Sequence, residues 1–402
     1  VIMSEKQYEL FGNLLAKTSY IISTYQNWIS EYDTCYDKVI KQFKLKSLKG
    51  FGLENHPLAV IAAGASVYYI DDNHKDSSAH IQYFQYQGKE DSMHLDPFTI
   101  NNLELFKTIS STNKKATLIH IIDKTRTSAG ARLLKKHLKR PLLDIKKIKL
   151  RQGRVSEFIK DSDTRLLISD LLNEVFDIER IISRISSQKS NPRDLVNLKN
   201  SLNNSIIIKK AIKKSMSSLY KLSSEFENVS KIINKIDKTV DDNCSANMLN
   251  GGYIKDGYSK KLDHVRKLSN NSKQWLVDLQ DKEQKSSGIS SLKIKYNKVF
   301  GYYIEVTKSH IDKVPDYFIR KQTLVNAERY FTQELKDFED TILSSNEKLI
   351  KLEKSIFDDL VHYVIQNSKS ILSNANVLSK IDVALGLSDV ALKNDYSLPT
   401  IH

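Results

Sequence analysis

The stretch "KIKYNKVFGYYIEVTKSH", residues 293–310, departs from the helical text on either side of it, which is rich in Lys, Ser and Asn. β-branched and aromatic residues here alternate with lysines about a single glycine, Gly301. Leu292, Ile294 and Tyr296 take turns with Lys293, Lys295 and Asn297, the period of two expected of a sheet with one buried and one solvated face. That solvated face is basic. Gly301 reads as a bulge or a close backbone approach. Tyr302 and Tyr303 could stack on bases, but Ile304 and Val306 beside them make core the better reading.

Working outward, residues 259–285 place Leu262, Val265, Leu268, Leu276 and Leu279 at helical spacing. On the other side, "ELKDFEDTILSSNEKLIKLEKSIFDDLVHYVI" carries Leu335, Phe338, Ile342, Leu349, Leu352, Ile356, Leu360 and Val364 as one stripe, without Gly or Pro. At 1.5 Å per residue these helices would reach roughly 40 and 50 Å. Each needs a partner for its apolar stripe, so they are expected to pack antiparallel and carry residues 286–332 at their far end. The β segment becomes the tip of an arm.

The remainder is also mostly helical. "VIMSE" at the start reads as a buried strand and suggests a chain beginning inside a domain. Asn55 and Pro57 open a helix through Ile70, which makes the first region, to about Lys89, a small α/β unit. Asp96 with Pro97, Asp144, and Asn191 with Pro192 mark three more helix starts, and Pro141 stops another helix. Asp123, Asp144 and Asp256 are read as caps and turn residues rather than metal ligands.

Composition narrows the partners. The 402 residues are 40% apolar, enough for two or three domains with real cores. A net charge of +14, from 62 Lys and Arg against 48 Asp and Glu, points to a polyanion or to lysine filling every solvated helix face. Between residues 285 and 332, nine cations (Lys285, Lys293, Lys295, Lys298, Lys308, Lys313, Arg320, Lys321 and Arg329) face four acids (Glu305, Asp312, Asp316 and Glu328), and this clustering favours the polyanion. The cysteines, Cys35 and Cys244, fit neither a disulfide framework nor a zinc pattern, which suits a reducing cytosol. The apolar run at residues 57–70 is too short to cross a bilayer.

Several stretches resemble the MutS DNA mismatch-repair family. "YNKVFGYYIEVT" and "YFIRKQTLVNAERYFTQELKDFE" are similar to its clamp segment. "LDPFTINNLELF", "LIHIIDKTRTSAGARLLKKHLKRPLLDIKKIKLRQGRVSEF", "NPRDLVNLKNSL" and "GGYIKDGYSKKLD" resemble its core and levers. "SLKGFGLENHPLAVIAAGASVYYI" resembles the end of the connector, and "YSLPTIH" the entry into the ATPase domain. Two family features are missing. No Phe is followed two residues later by Glu, as the mismatch reader requires, and "GNLLAKT", residues 12–18, lacks the second glycine of a phosphate-cradling loop.

The resemblance implies a mainly α fold: a helical core with long antiparallel lever helices carrying a small β-rich clamp insertion, preceded by part of a small α/β connector domain. It divides the chain into connector (1–88), core and lever (89–274), clamp (275–333), returning helix (334–388) and lead-in to an ATPase domain (389–402). Backbone contacts to duplex DNA map first onto Arg320 and Asn326, then onto Lys321, Gln322 and Thr323, with Lys293, Lys295 and Lys298 beside them. Val325 stands where the family commonly has Lys. The fragment is expected to be no enzyme and to hold no cofactor, with ATP and Mg in the ATPase domain. Expected partners are duplex DNA, a second MutS subunit and a MutL-type protein, with no membrane, in a cytoplasmic, nucleoid-associated setting. A pure interaction protein built on paired helices is the alternative. A Tyr-nucleophile DNA-cleaving enzyme, with Tyr302 or Tyr303 activated by Arg329 or His310, is another, but no carboxylate or His constellation accompanies those tyrosines.

Overall fold

A computed structural model describes residues 1–16, 20–43, 45, 47–48, 53, 56–73, 81, 92–109, 116–214, 218–249, 251–297 and 301–401. Asn55, Lys17, Thr18 and Lys298, as well as the connector boundary at residue 88, lie outside the described residues. The chain divides into two compact units, one of residues 1–236 with 361–402, the other of residues 237–360. It is mainly α-helical, with one small parallel and one four-stranded antiparallel sheet among the described residues.

The first unit opens with β1 (Ile2–Ser4), which pairs in parallel with β2 (Ser23–Tyr25). Between them Ser4 caps α1 (Glu5–Leu15), its side chain accepting from Gln7 N–H while Gln7 Oε1 accepts from Ser4 N–H. Helices α2 (Tyr32–Phe43) and α3 (Pro57–Asn73) pack together through Val39, Leu48, Leu53 and Val60. No described helix is long and apolar enough to cross a membrane.

The helical core follows the expected caps. Asp96 accepts from Thr99 N–H at 2.8 Å ahead of α4 (Pro97–Asn102), and α5 is Leu118–Ile122. Asp144 accepts from Lys146 and Lys147 N–H at the head of α7 (Ile145–Lys160), which follows α6 (Ser128–Lys139). Next come α8 (Ser162–Asn173) and α9 (Ile178–Ser186). Asn191 and Asp194 form a capping box on α10 (Pro192–Ile212), followed by α11 (Ser218–Ser224) and α12 (Ser230–Thr239).

Near the end of the chain α15 (Ser368–Lys393) is apolar on nearly every side, as a helix surrounded by others must be, and α5 to α10 pack around it. Its one fully buried acid, Asp382, accepts from the N–H groups of Arg126 and Thr127 at 2.8 Å and from Thr127 Oγ1 at 2.6 Å. A Cβ at Gly130 would collide with that carboxylate, so the Thr-Ser-Ala-Gly turn into α6 requires glycine there.

In the second unit α13 (Lys260–Ser287) and α14 (Gln333–Gln366, whose last residues belong to the first unit) run antiparallel. Three ties show the direction: Lys282 to Glu334 at 2.9 Å, Trp275 stacked on Phe338 with centroids 3.6 Å apart, and Arg266 to Glu353. Of the expected stripe on α14, Leu335, Leu360 and Val364 are buried, but its middle departs. Ile356 is only half-buried, whereas Phe357 is 3% exposed and Glu353 fully buried, because the carboxylate turns inward to meet Arg266 and the N–H of Gly252.

Candidate nucleic-acid interface

Between α13 and α14 the chain forms β3 (Lys293–Asn297), β4 (Gly301–Thr307), a 3-10 turn (Lys308–Lys313), β5 (Ile319–Thr323) and β6 (Ala327–Phe331), in the order β3-β4-β6-β5. Side chains alternate between faces, so the register assigns each one. One face carries Ile304, Val306 and Tyr330, which with Phe318, Ile289 and Leu292 close over Leu279 of α13 and Leu335 of α14. Gln280 Oε1 accepts from Ile294 N–H at 2.9 Å and Gln284 Nε2 donates to Leu292 O at 2.8 Å, pinning β3 to α13.

Gly301 has φ +68°, and a Cβ there would strike the Glu339 carboxylate. Tyr296, expected in the core, is 52% exposed. It lies near the end of its strand, where its ring meets that of Tyr302, 5.0 Å away. Tyr302 packs against the core cluster, and burial raises the pKa of its phenol above the usual tyrosine value.

The other face holds Lys293, Lys295, Tyr303, Glu305, Arg329 and Gln322. Its centre is an ion-paired cluster, two cations sharing one carboxylate. Glu305 meets Lys295 at 2.7 Å and Arg329 at 3.8 Å, Arg329 donates to Gln322 Oε1 at 2.8 Å, and the guanidinium lies 4.3 Å over the Tyr303 ring. Arg329 is therefore part of the fold, a role its place in a basic run does not reveal. Tyr303 is buried beneath it, while His310 Nδ1 bonds to the hydroxyls of Thr307 and Ser309.

The candidate residues fall into two groups at opposite edges of this sheet. Lys293 and Lys295 are on β3, and Lys295 is engaged by Glu305. Arg320, Lys321, Gln322 and Thr323 make up most of β5, the other edge. A bulge between Arg320 and Gln322 breaks the alternation there. Arg320 and Thr323 pair with residues of the core-facing row, Tyr330 and Glu328, whereas Gln322 pairs with Arg329 on the opposite face. The Lys321 ammonium sits 5.4 Å over the Phe331 ring, also on that opposite face. Arg320 and Lys321 thus stand astride the edge.

Arg320 is exposed, and its ion pair to the buried Glu328 is long at 3.7 Å; Glu328 is already held by the Tyr330 hydroxyl at 2.5 Å. Asn326 occupies the turn into β6, exposed beside Val325, which is 85% exposed. Its carbonyl accepts from Lys308 N–H at 3.2 Å, which anchors the tip backbone.

The family model for MutS domain III matches residues 98–388, and the model for MutS domain II matches residues 1–82. Among curated relatives, the DNA mismatch repair protein MutS of Salinibacter ruber is 34% identical over 402 residues, 100% of this chain and 44% of that protein. Its namesake from Halothermothrix orenii is 39% identical over 375 residues, 93% of this chain and 42% of that protein. A third, from Bacteroides fragilis, is 38% identical over 376 residues. The chain spans less than half the length of these relatives.

Proposed function

Since the chain belongs to the MutS family of DNA mismatch-repair proteins, we propose that the edge formed by β5 and its turn grips the phosphates of duplex DNA without reading bases. The observation that carries this reading is the exposed edge itself, with Arg320 and Lys321 on its two sides and Asn326 at its tip. Guanidinium, ammonium and amide groups donate to phosphate oxygens with no reference to sequence. The Arg320–Glu328 contact is long at 3.7 Å and its guanidinium is largely exposed, while the Tyr330 hydroxyl also holds Glu328, so the guanidinium can turn toward a phosphate. Lys293, Lys295 and Lys298 serve as a second, weaker line. The same charges keep an unpaired strand edge from pairing with another chain.

In the longer protein α13 and α14 act as levers, coupling this grip to an ATPase domain that uses ATP and Mg. The division into connector, core, clamp, returning helix and lead-in follows the resemblance. A second subunit and a MutL-type protein are the partners, and the setting is the cytoplasm, near the nucleoid.

The test is duplex binding by the full chain, followed by anisotropy across a salt series. With three or four phosphates neutralised, the log-log slope is expected near about −3, at about −0.9 per phosphate. Arg320→Ala with Lys321→Ala should make it shallower by about one to two units, and Val325→Lys should steepen it by about one. An unchanged slope in the double variant overturns the assignment.

A further inference from the structure

Helices α6, α7 and α15 line a cavity of about 240 Å³ that plays no part in the proposed DNA grip. Leu133 and His137 come from α6, Arg151 and Arg154 from α7, and Lys380 and Val383 from α15. Arg151 and Arg154 are three residues apart, on one helix face. Arg154 is 9% exposed, and its Nε is buried with no hydrogen-bond partner among the described residues.

The nearby acids are already engaged. Glu225 holds Lys380 at 2.6 Å, and Glu157 accepts from the N–H groups of Ser218 and Leu219 at 2.7 and 3.1 Å. Burial, followed by the charge of Arg154, lowers the pKa of Arg151, and no acid offsets them. Burial is also the largest influence on His137, followed by Arg151, Lys136, Arg154 and Lys380, which together push its imidazole down to about 4. Like charges thus converge on a half-open pocket, and although Glu225 and Glu157 favour the Arg154 charge from a distance, its Nε–H has no acceptor among the described residues. Buried polar groups are ordinarily satisfied, so an orphan of this kind calls for an occupant.

We propose that this cavity binds a small organic oxyanion, a carboxylate or phosphate monoester seated on the Arg151 and Arg154 guanidiniums with its apolar body against Leu133 and Val383. Planar guanidiniums match both headgroups through paired, charge-assisted bonds. The apolar walls would receive an organic body and give inorganic phosphate nothing to hold.

The experiment follows His137 by NMR in the full chain with selectively labelled histidine, its signal assigned by its loss in His137→Gln. Benzoate, phenyl phosphate, inorganic phosphate and benzyl alcohol serve as probes. Saturating benzoate or phenyl phosphate should raise the His137 pKa from about 4 toward the ordinary value near about 6.5. Whichever acts at lower concentration identifies the headgroup, and benzyl alcohol should have no effect. Arg151→Gln should raise the pKa without any probe, because a cation is gone, and should abolish the response to both anions. The proposal fails if neither organic anion moves His137 while Arg151→Gln does, if benzyl alcohol acts as well as benzoate, or if the response survives in Arg151→Gln.

Discussion

His137 also makes the chain sensitive to acid. Its folded-state affinity for a proton is depressed to about 4, first by burial and then by Arg151, Lys136, Arg154 and Lys380. In the unfolded chain an imidazole takes up its proton near about pH 6.5. Between those values the unfolded state binds more protons, so stability should rise with pH through that window and be lost as pH falls through it. His137→Gln should therefore flatten the pH dependence of urea unfolding between about pH 4 and 6.5. Identical profiles for parent and variant would mean that the ring is not shielded among cations. Lys136 is the only one of these charges beside position 137 in the sequence; Arg151, Arg154 and Lys380 reach it only through folding, so the sequence does not reveal this state. Asp96, Asp144 and Asn191 were legible as caps for the opposite reason: each bonds to a backbone N–H two or three residues on.

Among the elements, the paired helices and the sheet at their end were readable from periodicity, and the finer arrangement was not. A period-two pattern cannot announce the bulge in β5, so Lys321 and Gln322 share a side that strict alternation would have set apart. A stripe read as apolar likewise misses Glu353, which is fully buried yet charged. Its partner Arg266 also bonds to Asp256 and to Ile254 O at 2.7 Å, tying the Gly-Gly-Tyr-Ile loop to both α13 and α14. Removing one partner of a buried pair strands the other, at about 3–5 kcal/mol. Arg266→Ala should destabilise the unit of residues 237–360 by about that much. Pairing it with Glu353→Leu should recover part of the loss, since no charge is then left buried although Gly252 N–H loses its acceptor. Trp28 and Trp275 are the only two tryptophans, so Trp275 fluorescence in a Trp28→Phe background follows this unit. A double variant no more stable than the single would show that Arg266 does not hold Glu353.

For the whole molecule the competing explanation of DNA affinity is diffuse charge. With 62 Lys and Arg and a net charge of +14, the entire surface could attract a polyanion. The two explanations differ in what a small change does. If the charge acts diffusely, replacing Arg320 and Lys321 removes two cations among 62 and should barely alter the salt slope. If the β5 edge grips phosphates, those two account for much of the slope. Mismatch preference then tests what kind of grip it is. Matched and mismatched duplexes present the same phosphates, and phosphate contacts carry no direct sequence information. None of the 14 phenylalanines is followed two residues later by Glu, the pattern expected of a mismatch reader. Unlabelled matched and G·T-mismatched duplexes should therefore displace a labelled duplex from the full chain at the same concentrations. Stronger displacement by the mismatched duplex would require a base-reading side chain within these residues, and the exposed rings of Tyr296 and Tyr317 would be the first to replace.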